Sequence, residues 1–214
     1  MEALVVRGGW DGHEPVACTD LFLPALESFN VTIADRLDVY EDLPPLDLIV
    51  QCWTDGRLTP AQEDGLLNAI RGGTGFAGWH GGVVATAYEN AGYQFMVGGR
   101  FVTHPGGFVD YRVNVVSEHP IVVGLDDFDV HTEQYFCHVD PTITVLATTT
   151  FTGEHGAPET AGAVMPVVWV KRYGAGRVFV NTLGHAPSDL LVPSTRTITR
   201  RGLLWAAKPP GSSD

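Results

Sequence analysis

The chain has 214 residues, 44% hydrophobic and 18% charged, a globular balance that fits one domain over residues 1–208 with a flexible tail at 209–214. No apolar run approaches the ~20 residues that span a bilayer. Lys+Arg minus Asp+Glu is 13 − 25 = −12, which argues against a phosphate-backbone partner and against an anionic membrane surface.

The first residues, Met1-Glu2-Ala3-Leu4-Val5-Val6-Arg7, enter a strand pattern directly, without the basic and long apolar regions of a signal peptide, so a cytoplasmic location is expected. Residues 16–29 follow Pro15 with helical apolar spacing, and Val31-Thr32-Ile33 returns to strand. Residues 47–53 read as a central strand. A marked helix start comes next, with Thr59 as N-cap, Pro60 at the first helical position and Gln62 completing a capping box. That helix runs through Leu66, Leu67 and Ile70 to Gly72-Gly73, and the following strand, residues 75–78, leads to His80. Such β-α-β-α order implies a parallel sheet with helices on both faces.

The second half is richer in strands. Residues 111–116 alternate, 128–136 look extended, and 143–150 are strongly β-branched. Residues 165–172 and 177–183 flank the glycine turn Tyr173-Gly174-Ala175-Gly176 and predict a hairpin. Residues 195–207 read as a closing helix, and 153–162 as a loop. Cys18, Cys52 and Cys137 are widely spaced and odd in number, with no C-x-x-C pair, and are expected to be reduced.

Gly78-Trp79-His80-Gly81-Gly82 has the form of a nucleophile elbow, in which glycines let the chain turn sharply from strand to helix and present one side chain. Here that side chain is an imidazole, which serves as base, metal ligand or hydrogen-bond donor rather than as a lasting nucleophile. In an open parallel sheet ligands bind at the carboxyl ends of strands. Those ends carry Trp10 and His13, then Trp53 and Asp55, then Trp79 and His80. Aromatic faces beside polar groups suit a sugar ring. His104 and His185 also fall in glycine- or proline-marked turns, whereas His119 starts a turn and His155 belongs to a solvated loop. Glu133 is the best carboxylate candidate. A pair of histidines with Glu133 could bind a divalent metal, although no H-x-x-x-H or H-E-x-x-H spacing requires one.

Several segments together resemble the ThuA-like family, named for trehalose utilisation, within the class I glutamine amidotransferase-like superfamily. They are Gly8-Gly9 through His13, residues 58–62, Gly75 through Gly82, Gly98-Gly99-Arg100-Phe101 with His104, and His119-Pro120-Ile121. Glu133 with Tyr135, Pro166-Val167-Val168-Trp169, Gly176-Arg177-Val178-Phe179, Leu183-Gly184-His185 and Trp205-Ala206 continue the likeness over nearly the whole chain. The resemblance implies a flavodoxin-like three-layer α/β fold, its mostly parallel central sheet extended by antiparallel strands, and a link to disaccharide or glycoside metabolism. It does not imply a glutaminase: His80 stands where glutaminases have cysteine, and Pro187 stands where an acidic residue would follow His185. His131 departs from the family pattern, in which an acidic residue often precedes the glutamate.

The expectation is an enzyme of the lyase, isomerase or hydrolase kind, acting on a sugar or ketosugar by proton transfer. His80, His185, Glu133 and His104 are its catalytic candidates, with His13, Trp10, Trp53, Asp55, Trp79 and Tyr135 binding substrate. The alternative is a sugar-binding or regulatory protein without turnover. The expected partner is a small-molecule carbohydrate, with neither nucleic acid nor membrane; a homo-oligomer is compatible with the sequence.

Overall fold

A computed structural model describes residues 1–207, so the tail expected at 209–214 lies outside the described residues. Strands β1 (Glu2–Gly9), β2 (Asn30–Ala34), β3 (Leu48–Thr54) and β4 (Gly75–Trp79) alternate with helices α1 (Pro15–Asp20) and α2 (Pro60–Arg71). Short helices α3 (Gly81–Val84) and α4 (Ala91–Val97) precede β5 (Gly99–Thr103), β6 (Phe108–Val115), β7 (Phe128–Glu133), β8 (Phe136–Val139) and β9 (Thr144–Thr150). The hairpin β10 (Val164–Tyr173) and β11 (Gly176–Asn181), then α5 (Pro187–Leu190) and α6 (Pro193–Ala206), complete the order.

Nine strands form one sheet in the order β2-β1-β3-β4-β11-β10-β9-β6-β7. The first five are mutually parallel, in the 2-1-3-4-5 arrangement of flavodoxin-like folds, and the remaining four are antiparallel. β5 and β8 make a separate two-stranded ribbon.

Period-two alternation splits the core between the two faces of the sheet. Ala3, Val5, Leu48, Val50, Ala77 and Phe179 pack with Phe22, Ile198 and Leu203 on the face covered by α1 and α6. Leu4, Val6, Ile49, Phe76, Val178 and Val180 pack with Leu66, Ile70, Tyr93 and Met96 on the face covered by α2 and α4. The α2 start is as expected: the Thr59 hydroxyl accepts from the Gln62 N–H (3.3 Å) and the Gln62 side chain accepts from the Thr59 N–H (3.0 Å).

Two element boundaries differ from the sequence reading. The helix expected over residues 16–29 stops at Asp20, and a separate 3-10 turn, Leu23–Leu26, follows. Pro24 has no N–H for an α-helical bond and disfavours helical backbone at Leu23, so the apolar spacing alone could not continue the helix. The extended segment 128–136 is two strands in different sheets, because the chain leaves the large sheet after Glu133 and joins the ribbon at Phe136. All three cysteines are free and buried. Among the described residues no helix is long and apolar enough to cross a membrane.

Candidate functional site

β4 delivers His80 at the carboxyl edge of the sheet with φ 49° and ψ −144°, a backbone conformation that L residues rarely adopt. The glycines around it are required by contact. A Cβ at Gly78 would lie 2.6 Å from the Gln51 carbonyl, and one at Gly82 would lie 2.7 Å from the Cys52 Cα. Backbone bonds pin the turn: the His80 N–H donates to the Asn181 carbonyl (2.7 Å), and the His80 carbonyl accepts from the Val84 N–H (3.1 Å).

The His80 imidazole points inward and is 1% exposed. Its Nδ1–H donates to the Thr182 carbonyl (2.8 Å), which assigns the proton to Nδ1 and leaves Nε2 as the acceptor. The Tyr135 hydroxyl donates to that Nε2 (2.8 Å), and the Glu133 carboxylate lies 3.1 Å from it. Glu133 Oε2 also lies 3.2 Å from His185 Nδ1, an atom buried without an aligned hydrogen bond. Its other oxygen lies 3.6 Å from His104 Nε2. His13 arrives from the loop after β1 and meets the Thr54 hydroxyl through Nδ1 (2.7 Å). That contact crosses the point between β1 and β3 where the strand order reverses, the usual ligand crevice of such sheets. The rings of His13, His80 and His185 stand mutually edge-to-face, with centroids 4.7, 4.8 and 5.4 Å apart.

Beside this cluster opens a cleft of about 240 Å³, lined by His13, Glu133 and Tyr135 from the cluster, by the more exposed His104, and by Trp10, Asp55, Tyr88 and Phe101. Electrostatics inside it diverge sharply. Burial pushes His13 down to about 3, and the neighbouring His80 and His185 add to the effect. Burial also lowers His80, against the opposing pull of Glu133. Burial would raise Glu133, but its contacts with His185 and His80 outweigh that and hold the carboxyl below its ordinary range. Contact with Glu133 raises His185 against the opposing effect of burial, and burial raises Tyr135. One carboxylate held toward its ionised form therefore sits beside one imidazole whose affinity for a second proton is raised and two whose affinity is lowered.

The family model for trehalose utilisation, ThuA, matches residues 2–206. The chain belongs to the ThuA family. A ThuA-like protein from Bacteroides uniformis superposes with a TM-score of 0.78 at 18% identity, over 96% of this chain and 91% of that one. One from Parabacteroides merdae gives 0.79 at 18% identity, over 97% and 90%. A cytoplasmic protein from Salmonella typhimurium gives 0.67 at 14% identity, over 97% and 100%. At these identities the likeness establishes the fold. No curated protein sequence matches the chain.

In this ThuA-family chain His13, His80, Glu133 and His185 converge, with His104, Tyr135, Trp10 and Asp55 around them. Two tryptophans do not join them. Trp79 is 1% exposed and packs against Phe22 in the core, because it precedes His80 and alternation turns it to the other side. Trp53 lines a different groove, with Arg7, Gly8 and Asp35, for the same reason: its neighbour Thr54 takes the inward direction. The helix after the elbow is only four residues long, so its dipole adds little at His80. His131 is exposed and pairs with Asp110 (2.9 Å). Sequence reasoning passed over Thr54, Thr182, Tyr88 and Phe101. Thr54 was accessible, since it is the residue adjacent to Trp53 at a strand's carboxyl end; Thr182 acts through its carbonyl, which no side-chain pattern reveals.

Proposed function

We propose that this cleft binds a sugar derivative bearing a carbonyl and moves a proton on the carbon beside it. The observation that carries the reading is the position of Glu133, which joins the rim imidazole of His104 (3.6 Å) to the inner imidazoles of His80 (3.1 Å) and His185 (3.2 Å). His104, the more exposed of these, takes the proton from carbon at Nε2, and the Glu133 carboxylate steadies the imidazolium that forms. His185, whose affinity for a proton is raised and whose ring lies 6.4 Å from that of the cleft residue Trp10, is the donor for the charge developing on the carbonyl oxygen. Return of the proton to the neighbouring carbon isomerises the sugar, and loss of a leaving group beyond the carbanion eliminates it. Trp10, Tyr88 and Phe101 offer faces for the ring C–H groups, and Asp55 accepts from hydroxyls. The substrate class rests on the family's association with trehalose utilisation, which points to a disaccharide or its oxidised form.

The test is deuterium uptake from D2O into a panel of keto-disaccharides, followed by proton NMR, with calorimetric binding in parallel. The wild type should exchange the hydrogen beside the carbonyl, and His104→Asn should slow exchange by about 10²–10⁴-fold while still binding sugar. A wild type that binds these sugars and exchanges none would overturn the enzyme reading in favour of a sugar-binding protein.

A further inference from the structure

We propose that His13, His80, Glu133 and His185 form a preorganised site for one divalent transition-metal ion, of which Zn²⁺ is the natural probe. Each contributes one ligand atom, and the four atoms lie within 4.8 Å of one another on buried or nearly buried side chains. Around an ion ~2.0–2.1 Å from its ligands, tetrahedral neighbours are ~3.3 Å apart. Two separations already have that value, His80 Nε2 to Glu133 Oε2 at 3.1 Å and His185 Nδ1 to the same oxygen at 3.2 Å. The remaining separations, up to 4.8 Å, would shorten by side-chain rotation on binding.

Proton bookkeeping supplies the independent reason. Glu133 Oε2 is approached by two imidazole nitrogens, and neither delivers an aligned N–H to it in the neutral state. The His80 proton is committed to the Thr182 carbonyl from Nδ1, and His185 Nδ1 is buried with no hydrogen-bond partner. The Tyr135 ring stacks on the His80 imidazole at 29°, and its hydroxyl, 2.8 Å from Nε2, holds that lone pair in the absence of an ion and would yield it on binding. A cation between these atoms satisfies all of them together. The outer contacts have the form that metal-binding histidines use, with the far ring nitrogen tied to a protein oxygen: Thr182 O for His80 and Thr54 Oγ1 for His13. Gly81 makes room, since a Cβ there would lie 2.4 Å from His13 Cε1. Three imidazoles with one carboxylate favour zinc and its first-row neighbours over Mg²⁺ or Ca²⁺, which prefer oxygen shells. Such an ion would polarise a carbonyl entering from the cleft, and His104, which is outside the set, would remain available as base.

The site is the one assigned to proton transfer above, but ion binding does not depend on that reaction. Tag-free full-length protein, stripped with chelator, would be titrated with Zn²⁺ by equilibrium dialysis, and Co²⁺ bound in its place would report coordination through its visible absorption. The expected result is one ion per chain, with affinity reduced at least tenfold by His185→Asn or His13→Asn and unchanged by His131→Asn. Thr54→Val keeps all four ligands, so its expected 10–100-fold weakening separates ligand orientation from loss of a ligand, with circular dichroism reporting the fold. Substoichiometric binding by the wild type, or full binding by a folded His13→Asn or His185→Asn protein, would overturn the proposal. Stoichiometric metal without sugar exchange would sink the proton-transfer reading and leave the metal site standing; exchange without metal would do the reverse.

Discussion

Replacing His80 by glycine should leave the protein more stable than replacing it by alanine, the reverse of the usual order. Both substitutions remove the imidazole and its contacts with Thr182, Glu133 and Tyr135, so those losses cancel in the comparison. What differs is the backbone. At φ 49° and ψ −144° a residue with a Cβ carries strain of about 1–3 kcal/mol, which glycine avoids. Glycine's greater freedom in the unfolded chain costs about 0.5–1 kcal/mol in return. The difference is a net advantage of roughly 0.5–2 kcal/mol for His80→Gly. Urea unfolding in chelator at neutral pH measures it; with a slope of about 3 kcal/mol/M, a 1 kcal/mol gap moves the midpoint by about 0.3 M. Equal midpoints, or a higher one for His80→Ala, would show that the turn relaxes to accommodate a side chain and that the elbow stores no strain.

Two further outcomes follow from local features. His13 has a folded pKa of about 3, below its value in the unfolded chain, so the unfolded state binds more protons between the two and stability falls as pH drops below about 6.5. From pH 7 to 5 in chelator this group should cost the wild type about 1–2 kcal/mol that His13→Asn does not lose, and parallel pH curves for the two proteins would refute it. The raised pKa of His185 works oppositely, adding stability below its unfolded pKa that is lost at higher pH, while Glu133, depressed, keeps its contribution until well into the acid range. Thr59→Ala should cost about 1 kcal/mol by removing the α2 cap, and sugar or metal binding should be unchanged, because Thr59 neither lines the cleft nor joins the histidine cluster.

What was legible in the sequence was mostly local. The α2 capping box, the glycine-bounded elbow and the hairpin turn each lie within a few residues, and their chemistry allows few alternatives. The convergence of histidines was legible only as placement, since the carboxyl ends of β1, β4 and β11 had to become neighbours through long-range pairing. Trp53 and Trp79 end strands and so read as cleft residues, but side-chain parity at a strand end decides the direction, and Thr54 and His80 take it. The segment 128–136 reads as one strand because its composition is uniformly extended; the switch between sheets at Gln134 and Tyr135 depends on partners far away in sequence. That same switch lets Glu133 and Tyr135 reach one imidazole together.

The cleft has two walls of unequal stiffness. Trp10, His13, Asp55 and Glu133 belong to the edge of a nine-stranded sheet, whereas Phe101, His104 and Tyr135 belong to or border a ribbon of only two strands. A pair of strands has little rigidity by itself and depends on what it leans against. Here the supports stand at the base of the ribbon: the Trp169 indole donates to the Val97 carbonyl (2.9 Å), and the Lys171 ammonium bridges the Phe95 carbonyl and Asp140 (both 2.7 Å). The sheet edge thus carries most of the reactive groups, and the ribbon side carries Phe101, His104 and Tyr135 over the opening. Substitution of Trp169 or Lys171, distant from any reacting atom, is therefore expected to shift the ribbon and change the size of molecule the cleft admits, while leaving the sheet edge as it is.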